Sequence, residues 1–191
     1  MWEGVAERQL RVIMERMATH RPPHVYLDNM RYFITAGTFG KKCLWNNKAK
    51  LNRLAFLLCE ISGRYNINLY AWVILPNHYH LLLKTSHGED LVKFFRKLHS
   101  DSANYLNRLE NTSSRRVWYQ YWDRCIRNEK DFWVRFNYIH QNAVKHGLAE
   151  KMGCYEFSTY KKYLEKNGTE WMMNCFEQYP IIDFTTEKDN F

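Results

Sequence analysis

The sequence predicts an α+β sandwich: a four-stranded antiparallel sheet with helices packed on one face, and a further helix after the last strand. Three observations predict it. Segments rich in β-branched and aromatic residues alternate with segments of helical apolar spacing. Two strand-like segments meet at a Pro76-Asn77 turn, as a hairpin requires. The resulting order is βαββαβ followed by one more helix.

Each element has its own signal. Arg31 to Thr38 (RYFITAGT) reads as the first strand. Lys48 to Ser62 follows with Leu51, Leu54, Leu58 and Ile61 at helical spacing, and Gly63 is the expected stop. Ile67 to Leu75 and His78 to Thr85 are the hairpin strands. Gly88-Glu89-Asp90 opens a helix with an apolar stripe through Leu91, Phe94, Leu98, Tyr105 and Leu109. Lys93, Arg96, Lys97 and Arg108 take its other face. Val117 to Ile126 is the fourth strand. Asn128 is a suitable N-cap, with Glu129 and Asp131 in the first turn, for a helix over about 129–142. This is the ferredoxin-like, split βαβ arrangement.

The expected organisation is an N-terminal helical extension (residues 1–23), a main domain (24–165) and an acidic tail (166–191). Apolar spacing at Val5, Leu10, Ile13 and Met17, closed by Arg21-Pro22-Pro23, supports the extension. No apolar run approaches membrane-spanning length, and five scattered cysteines without a CxxC pair favour reduced thiols in the cytoplasm. Thr169 to Phe191 holds five acidic residues against Lys188 alone, a net −4, which leaves +12 on the other 168 residues. That excess, with 16% aromatic residues, suits a partner with phosphates and exposed bases.

Chemistry concentrates at His78-Tyr79-His80. Strand side chains alternate, so His78 and His80 share one face, while Tyr79, Leu81 and Leu83 take the other. In the last helix Tyr138, Asn142 and Lys145 stand at offsets of four and seven, again on one face. If that face covers the histidine strand, His78, His80 and Asn142 form a three-ligand site for a hard divalent cation, Mg²⁺ or Mn²⁺. Tyr138, one turn from Asn142, would then attack a phosphodiester.

The segments AWVILPNHYHLLLKT (71–85), YWDRCIRNEKDFWVRFNYIHQNAVKHGL (121–148), YEFSTY (155–160) and RYFITAGTFGKK (31–42) together resemble the HUH-class single-tyrosine transposases. The likeness is strongest to the REP-associated tyrosine transposases of bacteria and spans residues 24–165. It implies that His78 and His80 are metal ligands, Asn142 the amide-bearing third ligand and Tyr138 the nucleophile. It also implies a bacterial, cytoplasmic enzyme that nicks and transfers single-stranded DNA beside a stem-loop (a palindromic repeat). The expected intermediate is a 5′-phosphotyrosine with a free 3′-OH, made without a nucleotide cofactor. One departure stands out: the family pattern NPVKAG is Asn142-Ala143-Val144-Lys145 here. Alanine lets the helix run another turn where proline would end it. It leaves the direction of Lys145 open and keeps Gln141 as a second candidate for the amide ligand.

Lys145, Arg124, Arg127, Lys93, Arg96 and Lys97 are the expected DNA contacts. The longer C-terminal region favours a monomer over a dimer. The rival readings are a module on the same fold that binds structured single strands without cutting, and a hydrolase that uses water in place of Tyr138.

Overall fold

The structure, a computed structural model, describes residues 26–182. The helical extension expected over 1–23 and the residues after 182 lie outside that range. The four strands are β1 (Arg31–Thr38), β2 (Asn68–Ile74), β3 (His78–Lys84) and β4 (Trp118–Ile126), in the antiparallel order β2-β3-β1-β4. Helix α1 (Lys48–Arg64) joins β1 to β2, and α2 (Gly88–Leu109) joins β3 to β4. Helices α3 (Glu129–Lys145) and α4 (Tyr160–Gln178) follow. This is the predicted fold class. No helix among the described residues is long and apolar enough to cross a membrane.

Alternation in β3 divides the molecule into two layers. Tyr79 turns toward α2, where its hydroxyl meets His99 Nε2 at 2.6 Å and its ring meets Trp118. His78 and His80 turn the opposite way, toward α3, and are as deeply buried as the apolar side. The sheet is therefore covered on both faces, with His78 and His80 on the α3 side.

Local chemistry explains the element ends. Asn47 caps α1 by accepting the Lys50 amide at 2.9 Å. The helix runs through Gly63, the expected stop, to Arg64, and Asn66 takes the left-handed turn at φ 51°. Asparagine tolerates that conformation because its short polar side chain bonds locally. At the start of α2, Gly88 lies against the Tyr26 carbonyl so closely that a Cβ would come within 2.2 Å of its oxygen. Lys50, a buried residue in the first turn of α1, pairs with Glu110 at 2.6 Å, and Arg115 closes on the same carboxylate. Those two cations hold the Glu110 carboxyl below its ordinary range.

The segment YEFSTY, seen in the sequence only as a likeness, has a structural task. It lies along the outer edge of β2: Tyr155 donates to the Ile74 carbonyl, Ile74 N–H to Phe157, and Trp72 N–H to Thr159 Oγ1. An edge strand so paired no longer offers backbone to another chain. The boundary expected between residues 165 and 166 falls inside α4, whose far half buries Met172 and Cys175. Asn137 fastens it, donating from Nδ2 to the carbonyls of Cys175 and Tyr179, each at 2.8 Å. Asn137→Ala would remove both bonds and take this donor from the Tyr179 carbonyl, while the Cys175 carbonyl keeps the Tyr179 N–H at 3.1 Å. It is expected to lower stability by about 2 kcal/mol, measured by urea unfolding, with the loss traced to α4 by hydrogen exchange.

Candidate active site

Helix α3 begins where Asn128 accepts the Asp131 amide at 2.8 Å, with Glu129 and Asp131 at its positive end. It does not stop after Asn142. With Ala143 in the family's proline position, it continues to Lys145, and Gly147 takes the left-handed turn (φ 67°) that ends it. The additional turn keeps Lys145 on the Tyr138 face, its Nζ 5.4 Å from the centre of the Tyr138 ring.

The face of α3 that covers β3 brings together residues 64 apart in sequence: Asn142 Oδ1 lies 3.3 Å from His78 Nε2. The hydrogen-bond partners indicate what those atoms are. Asn77 directs its Nδ2 at the Lys41 carbonyl (3.5 Å), so its Oδ1, 2.7 Å from His78 Nδ1, accepts a proton from that nitrogen. His78 Nε2 then presents a lone pair to a carbonyl oxygen. Two buried acceptors facing each other at this distance suit a cation between them. Ligand bonds of about 2.1 Å at right angles separate cis ligands by about 3 Å. Among the described residues Asn142 Nδ2 has no hydrogen-bond partner. Rotating the amide would turn Nδ2 to His78 and give a metal-free hydrogen bond instead.

His80 is oriented the same way. Its Nδ1 meets Thr35 Oγ1 at 2.8 Å, and Thr35 is its register partner on β1. In the tautomer that donates from Nδ1, Nε2 keeps its lone pair. The two histidine rings stand 5.0 Å apart. Burial holds the His78 pKa down at about 3, with nearby positive charge from His146 and Lys145 acting in the same direction. His80 is pushed well below its ordinary value, by burial first and then by His78, His146 and Lys145. Both imidazoles are thus neutral, the form a metal requires. No three His, Cys, Asp or Glu side chains among the described residues form a metal-holding cluster, so a cation here depends on the asparagine oxygen. His78, His80 and Asn142 fit that task. Gln141 is half-buried, whereas Asn142 is fully buried beside His78.

Tyr138 lies beside this group, its ring 5.3 Å from His80 and 6.0 Å from Phe33. Two residues that sequence spacing left aside also belong here. Arg135 is buried one turn before Tyr138, held by Asp131 at 2.8 Å, with its guanidinium 4.7 Å over Phe33. His146 stands 5.0 Å from His78, ring to ring. Each was open to the same spacing rule: Arg135 precedes Tyr138 by three, and His146 follows Asn142 by four. His140 goes elsewhere, to Thr159 Oγ1 at 2.9 Å.

The expected DNA contacts divide. Arg124 sits opposite Phe33 in the β1–β4 register and reaches Asp131 at 3.8 Å. With Arg127, Asn128 and Lys130 it lines a cleft at the start of α3. Lys93, Arg96 and Lys97 are on α2, across the sheet from the histidines. There Lys93 pairs with Glu89 and Asp90, and Lys97 with Asp101. Their helical spacing was legible, but the layer they occupy was not.

Comparison with known proteins gives a consistent result. The family described as "Transposase IS200 like" matches residues 27–142. A REP-associated tyrosine transposase of Escherichia coli K12 is 28% identical over 140 residues, covering 69% of this chain and 81% of that protein. A solved REP-associated tyrosine transposase bound to a REP hairpin superposes with a TM-score of 0.63 at 21% identity, covering 92% of this chain and 95% of that one. At that identity the superposition speaks for the fold.

Proposed function

Since the chain belongs to the IS200-like transposase family, we propose that it cuts and rejoins single-stranded DNA beside a hairpin through a covalent tyrosine intermediate. One observation carries the reading: His78 Nε2 and Asn142 Oδ1 face each other at 3.3 Å, with Tyr138 against His80. A divalent cation bound by His78, His80 and Asn142, Mg²⁺ or Mn²⁺, would neutralise a non-bridging phosphate oxygen and orient the scissile group.

The chain's own groups account for the rest. The Tyr138 oxygen attacks phosphorus in line as the bond to the 3′-oxygen breaks. The phenolic proton is lost and the leaving 3′-oxygen gains one, which leaves a 5′-phosphotyrosine and a free 3′-OH. Return attack by a 3′-OH reverses these changes and joins strands without a nucleotide cofactor. Lys145 above the phenol ring and Arg135 one turn away supply positive charge where negative charge gathers. Asn77 and Thr35 hold the two imidazoles in place.

The relative of known structure holds a REP hairpin. A chain with net charge +8 suits the same class of ligand. Arg124, Arg127 and Lys145, on the histidine side of the sheet, would meet its backbone; Lys93, Arg96 and Lys97 would meet it only if the DNA passed to the other layer. We favour a monomeric enzyme, because every group invoked comes from one chain.

Purified protein with Mn²⁺ or Mg²⁺ is expected to form a denaturation-resistant adduct with a hairpin oligonucleotide carrying a single-stranded flank. A chelator should abolish it. Tight hairpin binding with no adduct in either metal would favour the binding module. Cleavage without protein-linked DNA would favour water as nucleophile.

A further inference from the structure

The two edges of the sheet are treated differently. The β2 edge is closed by the 155–160 segment, whereas β4 is the opposite edge strand, beside exposed aromatic rings. Phe39, just after β1, is 43% exposed and Tyr119 of β4 is 47% exposed. Their centroids are 6.2 Å apart. The exposed Arg116 guanidinium lies over both, 4.9 Å from the Phe39 ring and 5.3 Å from the Tyr119 ring. Its Nε is anchored on the Trp118 carbonyl at 3.1 Å. The half-buried Trp122 continues the row, 6.2 Å from Tyr119.

This row starts at the histidines. Trp122 is the register partner of Thr35, and Thr35 is bonded to His80. The backbone N–H of Thr38 donates to the Asn77 carbonyl at 2.8 Å, and the Asn77 side chain, which orients His78, donates to Lys41. Trp122, at one end of the row, is therefore one residue removed from His80, and Phe39, at the other, follows Thr38, which is bonded to the residue before His78. The core does not use the outer rings: Phe39 and Tyr119 leave nearly half their surface in water. Their partner needs flat apolar faces, to stack on rings, and negative charge, to meet Arg116 and the exposed Lys41 and Lys42. Unpaired nucleotides have both. A duplex hides its base faces, and an apolar protein surface does not match the cations.

Resting on the function proposed above, we propose that Phe39, Arg116, Tyr119 and Trp122 form a stacking platform for the unpaired nucleotides that lead from the hairpin to the scissile phosphate. The platform defines where the single strand leaves the active site: outward across β4, not over the closed β2 edge.

The test is binding, read in the Tyr138→Phe background so that no cleavage intervenes. Two oligonucleotides share one hairpin; one is blunt, and the other has a single-stranded flank containing 2-aminopurine. The doubly substituted Phe39→Ala/Tyr119→Ala protein should bind the flanked hairpin about 10- to 100-fold more weakly. It should also lose the quenching of 2-aminopurine that stacking causes. Its affinity for the blunt hairpin should not change, and Phe39→Tyr/Tyr119→Phe should restore both signals. Equal weakening toward both oligonucleotides, or undiminished quenching, would overturn the platform. So would a wild-type dimer that the double substitution dissociates. Quenching in this background, with no adduct formed by the protein that retains Tyr138, would leave the platform standing and remove the strand-transfer reading. An adduct formed by the protein that retains Tyr138, with no quenching in this background, would do the reverse.

Discussion

Tyr138→Phe is expected to abolish the covalent DNA adduct while the protein still folds and still binds its hairpin. The substitution removes one oxygen from a ring that stays packed against His80 and Phe33. The stability change should therefore be within about 1 kcal/mol. The rate of strand cleavage should fall by a factor on the order of 10³ or more, because phenylalanine has no oxygen with which to form the covalent intermediate. Denaturing electrophoresis of labelled DNA reads the adduct, and anisotropy reads binding. An adduct that survives would place the nucleophile elsewhere. The neighbouring tyrosine of the histidine motif is a poor substitute, since Tyr79 points to the opposite layer and is engaged with His99.

Mild acid is expected to unfold the protein, more steeply than carboxylate protonation alone would. His78, His99 and His140 are held down to about 3, and His80 well below its ordinary value, all mainly by burial. In the unfolded chain each would take up a proton near pH 6.5. Their contribution is therefore complete above pH 6.5 and is lost as pH falls from there toward 3. Each histidine costs about 1.4 kcal/mol per pH unit, so four together cost about 5.5. Against a typical stability of about 5–15 kcal/mol, the transition is expected between roughly pH 5 and 4. Calorimetry at pH 5.5 in two buffers of different ionisation heat should find uptake of about three protons or more on unfolding, with chelator present. Uptake below about one proton would contradict the buried neutral state. Mn²⁺ should move the midpoint to lower pH, since a cation on His78 and His80 competes with protons.

The periodic part of this molecule was readable in advance. Alternation alone put His78 and His80 on one face, and helical spacing put Tyr138 and Asn142 on another; both are as the structure has them. The same rule, applied to Arg135 and His146, would have found two more members of the site. His146 was set aside as having no partner spacing, and Arg135 went unmarked because a charged side chain on a helix more often faces solvent. The segment beyond residue 165 was read as a tail because its acidic residues hid a weaker apolar pattern. Met172 and Cys175 are buried there, and the Asn137 amide completes the contact.

By itself the sequence determined which residues share a face, since a strand repeats every two residues and a helix every 3.6. It also carried the family's segments in order along the chain. Tertiary structure alone decided which faces meet. It put α3 rather than α2 over the histidines, leaving Lys93, Arg96 and Lys97 in the other layer. It turned the Asn77 amide toward Lys41 and so gave His78 its tautomer, and it closed one sheet edge while leaving the aromatic row at the other. The physical reason is that periodicity is a property of neighbours along the backbone. The partner of a buried polar atom is set by contacts between segments tens of residues apart.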